Sequence, residues 1–345
     1  MYKFWLLPVS FFLFLLWDIY HIQYGKVFDI AGILIVLFTF VMNLKGLMRI
    51  ENNKYYLLVF MLPFVLLGFM YESYQESLVI LIGFITVLVF SNIPDELLKL
   101  KLLKFAVCFL ILAQIIQFIY FYNSGINLVF YPTSIFSEPR NFDGVDFFRA
   151  SGVMAEANAL VTTLMLLVVG ILNIKGQVDK KLSVLIIFSL VISKSFFGWL
   201  LIPFFMYASN CFSYRQVFGV GLAAILVFVL YIDVSVFIYR IENFSDDPSF
   251  QARLGIDTIQ NSFFYLLVPG GFSSADTSKI AVNGFIYLFN AMGMFALIFI
   301  FLMYRLLNCK RAFLIFMLTL LSYQFFTMQL FWAVIGLVSS RRKDA

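Results

Sequence analysis

The sequence predicts an all-α, polytopic integral membrane protein. Hydrophobic residues make up 63% of the 345-residue chain and charged residues only 12%. The mean hydropathy of +0.97 lies far above that of water-soluble domains. Apolar runs of the length that a bilayer requires, roughly 17 to 25 residues, recur along the whole chain. We therefore expect a single transmembrane domain, residues 1–345, with no soluble domain attached.

These apolar runs predict about eleven to twelve transmembrane helices. The first run resembles a signal peptide, but it contains Pro8, and Trp17-Asp18 stands where a small-residue cleavage site belongs, so we expect a retained helix. The last run is expected to divide into two short helices near Gln324. The predicted spans are Phe4–Trp17, Phe28–Leu44, Tyr55–Met70, Leu78–Asn92, Leu102–Tyr122, Gly152–Ile174, Leu182–Ile192, Phe196–Ala208, Val217–Tyr239, Ile280–Tyr304 and Ala312–Leu337.

Lysines and arginines assign the loops to two sides of the membrane. With twelve spans, 17 of the 24 basic residues fall on the side of the two chain termini, whereas 14 of the 19 acidic residues fall on the opposite side. The positive-inside rule therefore predicts cytoplasmic N- and C-termini. Two outer loops follow from this topology, residues 123–149 and the larger 240–279. Because the inner loops are short, we expect any site to face outward.

Several kinds of chemistry are disfavoured by what the chain lacks. His21 is the only histidine, which excludes a histidine-based metal site, and we expect neither a metal nor another cofactor. The G-x-x-x-x-G-K-[ST] and G-x-G-x-x-G signatures do not occur, which argues against nucleotide binding. The pair Asp246-Asp247 could hold a metal-bound nucleotide sugar, but a solvated loop is the better interpretation. No nucleic-acid partner is expected.

Ionisable residues stand where the first outer loop enters the membrane, in FFRASGVMAEANALVTT. On a helix, Arg149, Gly152, Glu156 and Thr163 are spaced 3, 4 and 7 residues apart and share one face. An ionisable residue inside a span costs roughly 2.5 to 3.5 kcal/mol at the bilayer centre, so a functional role is the first hypothesis. The alternatives are an intrahelical pair of Arg149 with Glu156, or a Glu156 side chain that reaches back to the outer surface.

The larger outer loop has helix signals of its own. Asp247 is a suitable N-cap followed by proline, and an amphipathic run continues to Leu267, just before Gly270-Gly271. We therefore expect a short amphipathic helix on the outer membrane surface or over the mouth of a cavity. Arg253 and Asp257 would share its polar face. They could also form no more than a surface ion pair, worth about 0.3 to 0.5 kcal/mol.

A short polar break, SKSFFGWL at Ser193–Leu200, joins two apolar stretches that are each shorter than a full span. Broken helices are tolerated in a membrane only where protein or a water-filled cavity surrounds them. A plain tight hairpin explains the same pattern equally well, so both interpretations stay open.

Five short motifs follow one another in the second half of the chain. They are Arg149, Gly152, Glu156 and Asn158 at a helix start; Ser193, Ser195 and Gly198 at a break; Arg240 and Arg253 in an outer loop; Gly270 and Gly271 in a turn; and Asn283, Phe285, Ile286 and Gly293 at the next helix start. In order and in outer location, this set resembles the O-antigen polymerase (Wzy-type) family and the related O-antigen ligases. The resemblance covers roughly residues 149–337.

The resemblance implies a GT-C-like fold and a lipid-linked oligosaccharide polymerase in the bacterial cytoplasmic (inner) membrane. Such an enzyme transfers a growing glycan from a polyprenyl-diphosphate carrier to another lipid-linked repeat unit at the outer face. The guanidinium group pairs bidentately with phosphate oxygens. The roles implied are diphosphate binding by Arg149, Arg240 and Arg253, general base catalysis by Glu156 with Asp257 as the second candidate, and substrate binding by Asn158, Ser195, Gly270, Gly271 and Asn283. A chain-length regulator and a flippase would be partners.

Two alternatives to a polymerase remain. Ligases of this group typically carry a histidine before the asparagine, where this chain has Val282, so the sequence favours a polymerase. A flippase or secondary transporter of lipid-linked oligosaccharides would also be polytopic. Transporters usually contain internal repeats with matched broken helices, and the two halves of this chain show no such correspondence.

Overall fold

The apolar runs fold into α-helices in the computed structural model, which describes residues 6–16, 25–43, 52–70, 74–125, 140–142, 145–147, 150–152, 154, 157–219, 222, 268–272, 284–321, 325–326 and 328–338. The elements are α1 Leu7–Leu15, α2 Gly25–Met42, α3 Asn52–Met70, α4 Tyr74–Ser91, α5 Glu96–Ser124, β1 Arg140–Phe142, β2 Val145–Phe147, α6 Ala157–Lys175, α7 Lys180–Ile192, α8 Phe196–Ser209, α9 Gly284–Met292, α10 Ala296–Leu306, α11 Lys310–Leu320 and α12 Gln329–Leu337. A single 3₁₀ turn, Gly293–Phe295, joins α9 to α10.

Five helical segments among the described residues are long and apolar enough to cross a membrane. They are α3, α4, α5, α6 and Gly284–Leu306, which comprises α9 and α10. The protein is therefore a helical, multi-pass membrane protein. Most of the predicted span Val217–Tyr239 falls in a part of the chain that the structure does not describe, so the number of eleven to twelve spans stays a prediction.

The two helix interruptions that the sequence predicts, in the last apolar run and at Ser193–Leu200, are confirmed. The structure also contains a pair of short β-strands. The chain leaves its helical path between α11 and α12, where the described residues 325, 326 and 328 are not helical, and again between α7 and α8. The all-α fold class is confirmed, with one short addition: Arg140–Phe142 pairs antiparallel with Val145–Phe147. Asp143-Gly144, between the two strands, is a dipeptide favoured in two-residue hairpin turns. The outer segment 123–149 thus contains a short β-hairpin.

Helix α6 is the centre of the bundle. Every residue from Ala157 to Asn173 is buried, and 94% of its membrane-length window is covered, against 39–44% for the other four candidate spans. Helices α5, α8, α11 and α12 pack around it. A helix that is apolar on all sides suits either lipid or a protein core. The structure assigns α6 to the core.

Glycines allow α4 and α12 to pack closely. A Cβ atom at Gly83 would lie 2.5 Å from Cγ and Nε1 of the buried Trp332, and one at Gly336 would lie 2.6 Å from the Cβ of Phe90. Helices in lipid associate through van der Waals packing and hydrogen bonds, because lipid tails are as apolar as the side chains. Small residues at these positions therefore fix how the two helices cross.

Basic residues gather at one end of the bundle. The Lys54 ammonium donates to the Gly336 carbonyl at 2.9 Å, and Lys104 and Lys175 both pair with Asp179 in the connection between α6 and α7. The hydrogen bonds from Lys104 and then Lys175 lower the pKa of the Asp179 carboxyl. The positive-inside rule predicts that this end faces the cytoplasm, which stays a prediction. We call the opposite end of the bundle the outer end.

Candidate functional site

Four of the ten predicted site residues are described by the structure: Asn158, Ser195, Gly270 and Gly271. The other six lie outside the described residues, and their roles stay predictions; they are Arg149, Glu156, Arg240, Arg253, Asp257 and Asn283. The segments that adjoin several of them are described. These segments show how polar backbone is accommodated near the outer end.

The described residues before α6, 150–152 and 154, are not helical. Helix α6 begins at Ala157, and Gly152 has a φ of +62°, in the left-handed region. The prediction that Gly152 shares one helix face with Arg149 and Glu156 is therefore wrong, because that spacing rule requires a continuous helix. A Cβ atom at Gly152 would lie 3.1 Å from the backbone nitrogen of Gln114 on α5, so glycine permits both the φ and the close approach. We call residues 150–152 the entrance segment.

Two glutamines of α5 hold the entrance segment. The Gln114 amide donates to the Ala150 carbonyl at 3.0 Å, and the Gln117 carbonyl oxygen accepts from the N–H groups of Ser151 and Gly152, both at 2.8 Å. An unpaired backbone group in hydrocarbon costs several kcal/mol, so these bonds allow the segment to be buried. Neither glutamine was predicted from the sequence. Two amide side chains one helical turn apart within an apolar span are the signal that would have found them.

The connection between α7 and α8 is a tight hairpin. The Val178 N–H donates to the Ser209 carbonyl at 3.1 Å, which joins the start of α7 to the end of α8. The two helices therefore run antiparallel, and the tight-hairpin interpretation is correct. At the tip, Lys194 has a φ of +46°, which costs a residue with a side chain about 1–2 kcal/mol. Its ammonium donates to the Tyr122 hydroxyl at 3.2 Å.

Asn158 and Ser195 meet at this hairpin tip. The Ser195 hydroxyl donates to Oδ1 of Asn158, and as the N-cap of α8 it accepts from the Gly198 N–H at 3.3 Å. Asn158 and Ser195 are 5% and 0% exposed. A Cβ atom at Gly198 would lie 3.1 Å from Cγ2 of Val161, so this glycine allows the start of α8 to pack on α6. Asn158, from the motif at the start of α6, and Ser195, from the motif at the hairpin, thus form one buried contact.

Gly270 and Gly271 dock onto a break in the helix that follows them. A φ of +58° at Gly293 interrupts the helix after α9. The carbonyls of Asn290 and Ala291, in the last turn of α9, accept from the N–H groups of Gly270 at 3.0 Å and Gly271 at 2.9 Å. A broken helix is tolerated at membrane depth when the protein satisfies its freed backbone groups. The end of the large outer loop supplies the partners here.

Helix α3 forms the other side of this contact. Gly271 has a φ of +74°, and a Cβ atom there would lie 2.5 Å from the backbone nitrogen of Gly68. The next residue, Phe272, is fully buried, with its ring centroid 6.0 Å from that of Tyr287. Within the described part of the chain, the buried Tyr287 hydroxyl has no hydrogen-bond partner. The predicted amphipathic helix falls outside what the structure describes, but the two glycines after it anchor the loop inside the bundle.

None of the four predicted site residues that the structure describes is a candidate acid or base. Asn158 and Ser195 are buried and bond to each other, which fixes the start of α8 against α6. Across the described residues, no three His, Cys, Asp or Glu side chains lie close enough to hold a metal ion. No protein-family model matches the sequence, and neither a curated protein nor a solved structure matches it.

Proposed function

We propose that this chain is a polysaccharide polymerase, a glycosyltransferase that moves a growing glycan from a polyprenyl-diphosphate carrier onto a new lipid-linked repeat unit. The observation that supports this most directly is the buried hydrogen bond between Ser195 and Asn158. It joins two segments, 37 residues apart, whose motifs resemble those of O-antigen polymerases. The activity itself is what the resemblance implies.

The transfer proceeds without a nucleotide because the donor carries its own leaving group. The acceptor hydroxyl oxygen attacks the anomeric carbon of the donor glycan, the bond from that carbon to the diphosphate oxygen breaks, and polyprenyl diphosphate leaves with the electron pair. Glu156 takes the hydroxyl proton, a role worth about 10²- to 10⁴-fold in rate. Arg149, Arg240 and Arg253 stabilise the negative charge on the departing diphosphate.

The proposed reaction takes place at the outer end, in a bacterial cytoplasmic membrane with both chain termini in the cytoplasm. The entrance segment, the hairpin tip and the loop anchor at Gly270 and Gly271 all lie at this end. Its substrates are glycans on undecaprenyl diphosphate, and its product is the O-antigen of lipopolysaccharide or a capsule. A flippase that delivers repeat units and a regulator of chain length are the proposed partners, and the proposed fold is GT-C-like.

Glu156→Gln tests the proposed chemistry. Purified wild-type protein, incubated with a defined undecaprenyl-diphosphate-linked repeat unit and no nucleotide, should give a ladder of polymers on a gel. The glutamine variant should give none, because an amide of the same size cannot accept the proton. Glu76→Gln is the matched control, since Glu76 is a half-buried acid in the first turn of α4 at the same end, and its ladder should be normal. A normal ladder from Glu156→Gln would remove this residue as the base, and no ladder from wild-type protein would refute the polymerase.

A deletion strain distinguishes the proposed polymerase from other proteins of lipid-linked glycan assembly. Loss of a polymerase should leave single lipid-linked repeat units on the outer leaflet. Loss of a flippase or transporter would trap them on the inner leaflet, and loss of a ligase would leave long lipid-linked polymers. The second and third patterns would each contradict the proposal.

A further inference from the structure

The entrance segment is a buried stretch of backbone without secondary structure of its own. It contacts α5 at Gln114 and Gln117, about 10 to 15 Å before the outer end of that helix, and Ala150 is fully buried. A helix that began at residue 150 would pair the carbonyls of these residues but leave their N–H groups without an intrahelical partner. Helix α6 begins at Ala157 instead. The Ser151 carbonyl accepts from the Met154 N–H at 3.1 Å, and the two glutamine side chains supply partners for the Ala150 carbonyl and for the N–H groups of Ser151 and Gly152.

Gln117 acts toward this segment as an acceptor. Its Oε1 atom lies 2.8 Å from the backbone nitrogen of Ser151 and 2.8 Å from that of Gly152. One side-chain oxygen thus satisfies two successive N–H groups, which holds this part of the chain to a single path. The side chain is 4% exposed, so no solvent competes for the two bonds.

Gln114 acts mainly as a donor. Its Nε2 atom donates to the Ala150 carbonyl at 3.0 Å and to the Ser189 carbonyl on α7 at 3.1 Å. Its Oε1 atom accepts from the Ser189 hydroxyl. The side chain is fully buried. Gln114 therefore ties the entrance segment both to α5 and to the hairpin whose tip carries Ser195.

We propose that Gln114 and Gln117 are positioning residues that fix residues 150–152, which directly follow Arg149 in the chain. The inference rests on the proposed function, in which the Arg149 side chain acts on the substrate. Arg149 is covalently joined to Ala150, whose carbonyl Gln114 holds, so a displaced entrance segment displaces the arginine. Because misplacing a reacting group by about 1 Å can reduce a rate about 100-fold, the glutamines act on turnover as well as on folding.

Substitution by glutamate has opposite expected effects at the two positions. Gln117→Glu keeps an accepting oxygen for the two N–H groups. Gln114→Glu turns a group without N–H donors toward two carbonyl oxygens. With lipid-linked repeat units and equal amounts of folded protein, we expect Gln117→Glu to keep kcat within about threefold, and Gln114→Glu and Gln117→Leu to lower it about 100-fold.

Gln329 provides a matched control. It is also a buried glutamine, 1% exposed, which accepts from the Thr86 hydroxyl at 3.0 Å and donates to the Val79 carbonyl at 2.8 Å, between α12 and α4. Gln329→Leu should lower stability as Gln117→Leu does, because both leave buried polar groups unpaired. Its kcat per folded molecule should stay within about threefold of wild type.

A second assay, which does not depend on enzymatic activity, measures the position of the entrance segment. The reporter is Arg149→Cys in the full-length chain with its three native cysteines replaced by serine, labelled with a membrane-impermeant maleimide. Gln117→Leu and Gln114→Glu should change the labelling rate by at least about tenfold, since local exposure follows local opening. Gln117→Glu and Gln329→Leu should leave it unchanged.

The two readouts separate failure of the inference from failure of the proposed function. Three results would each overturn the inference. They are an unchanged labelling rate in Gln117→Leu, equal effects of Gln114→Glu and Gln117→Glu, and a normal kcat in a Gln117→Leu protein that has lost stability. If the wild-type protein makes no polymer but the labelling rates follow the expected pattern, the proposed polymerase activity is refuted. The conclusion that the two glutamines hold the entrance segment would still stand.

Discussion

Replacing Gly271 by alanine should disrupt the anchor of the large outer loop. Gly271 has a φ of +74°, and an added Cβ atom would lie 2.5 Å from the backbone nitrogen of Gly68 and 2.8 Å from the carbonyl carbon of Leu67. Backbone atoms of a packed helix cannot rotate away as the end of a side chain can. The substitution therefore forces either α3 or the loop to move, and the bond from the Gly271 N–H to Ala291 would weaken.

The expected magnitude follows from two contributions. A left-handed backbone conformation costs an alanine about 1–2 kcal/mol, and overpacking of a close contact costs typically about 1–3 kcal/mol. Gly271→Ala should therefore lower the free energy of unfolding by about 2–5 kcal/mol. Gly125→Ala separates the two contributions, because Gly125 has a φ of +68° but no heavy atom within 4 Å of the Cβ position. This control should lose only about 1–2 kcal/mol.

Equilibrium unfolding in mixed detergent micelles, followed by helical circular dichroism, measures both variants under one condition. We expect stability to decrease from wild type to Gly125→Ala to Gly271→Ala. Equal losses in the two variants would refute the reasoning, because they would mean that the approach of Gly271 to Gly68 contributes nothing. A Gly271→Ala protein as stable as wild type would also refute the anchor itself.

Three further substitutions have defined expectations in the same unfolding assay. Ser195→Ala removes both the cap of α8 and the donor to Asn158 and should cost about 1–3 kcal/mol, whereas Ser195→Thr should retain most of this stability; equal losses would contradict the hydroxyl's role. Tyr287→Phe removes a buried hydroxyl without a partner among the described residues and should stabilise the protein by up to about 1–3 kcal/mol; a loss of stability would show that the hydroxyl is bonded. Asp179→Asn should cost less than about 1 kcal/mol at pH 7, because the pairing is half-exposed. The two lysine partners of Asp179 lower its pKa below the ordinary 3.8. The stability difference between wild type and Asp179→Asn should therefore persist above about pH 4, vanish as the pH falls through the lowered pKa, and shrink at high salt. A stability difference that depends on neither pH nor salt would contradict the ion pair.

The five candidate spans that the structure describes were predictable from the sequence because hydrocarbon sets a minimum length of apolar residues. The burial of α6 was not predictable in the same way. A residue such as Leu164 is apolar whether it faces lipid or the bundle core, so composition does not separate a central helix from a peripheral one. Only the packing of neighbouring helices decides which it is.

The role of the candidate site residues stays a prediction, and the contact between two of them was not predicted. Asn158 and Ser195 were selected from separate motifs, and the structure brings them into contact. The helical-face argument at Gly152 failed because it assumed that α6 starts where the apolar run starts. Gln117 was missed because attention to ionisable residues passes over amides, although an amide inside a membrane span also needs a partner.

The anchor at Gly270 and Gly271 is made from main-chain N–H and carbonyl groups, which every residue except proline carries. Inheritance of this attachment therefore requires that these two positions remain without a side chain. Descendants of this gene can exchange neighbouring side chains without removing a partner from either hydrogen bond.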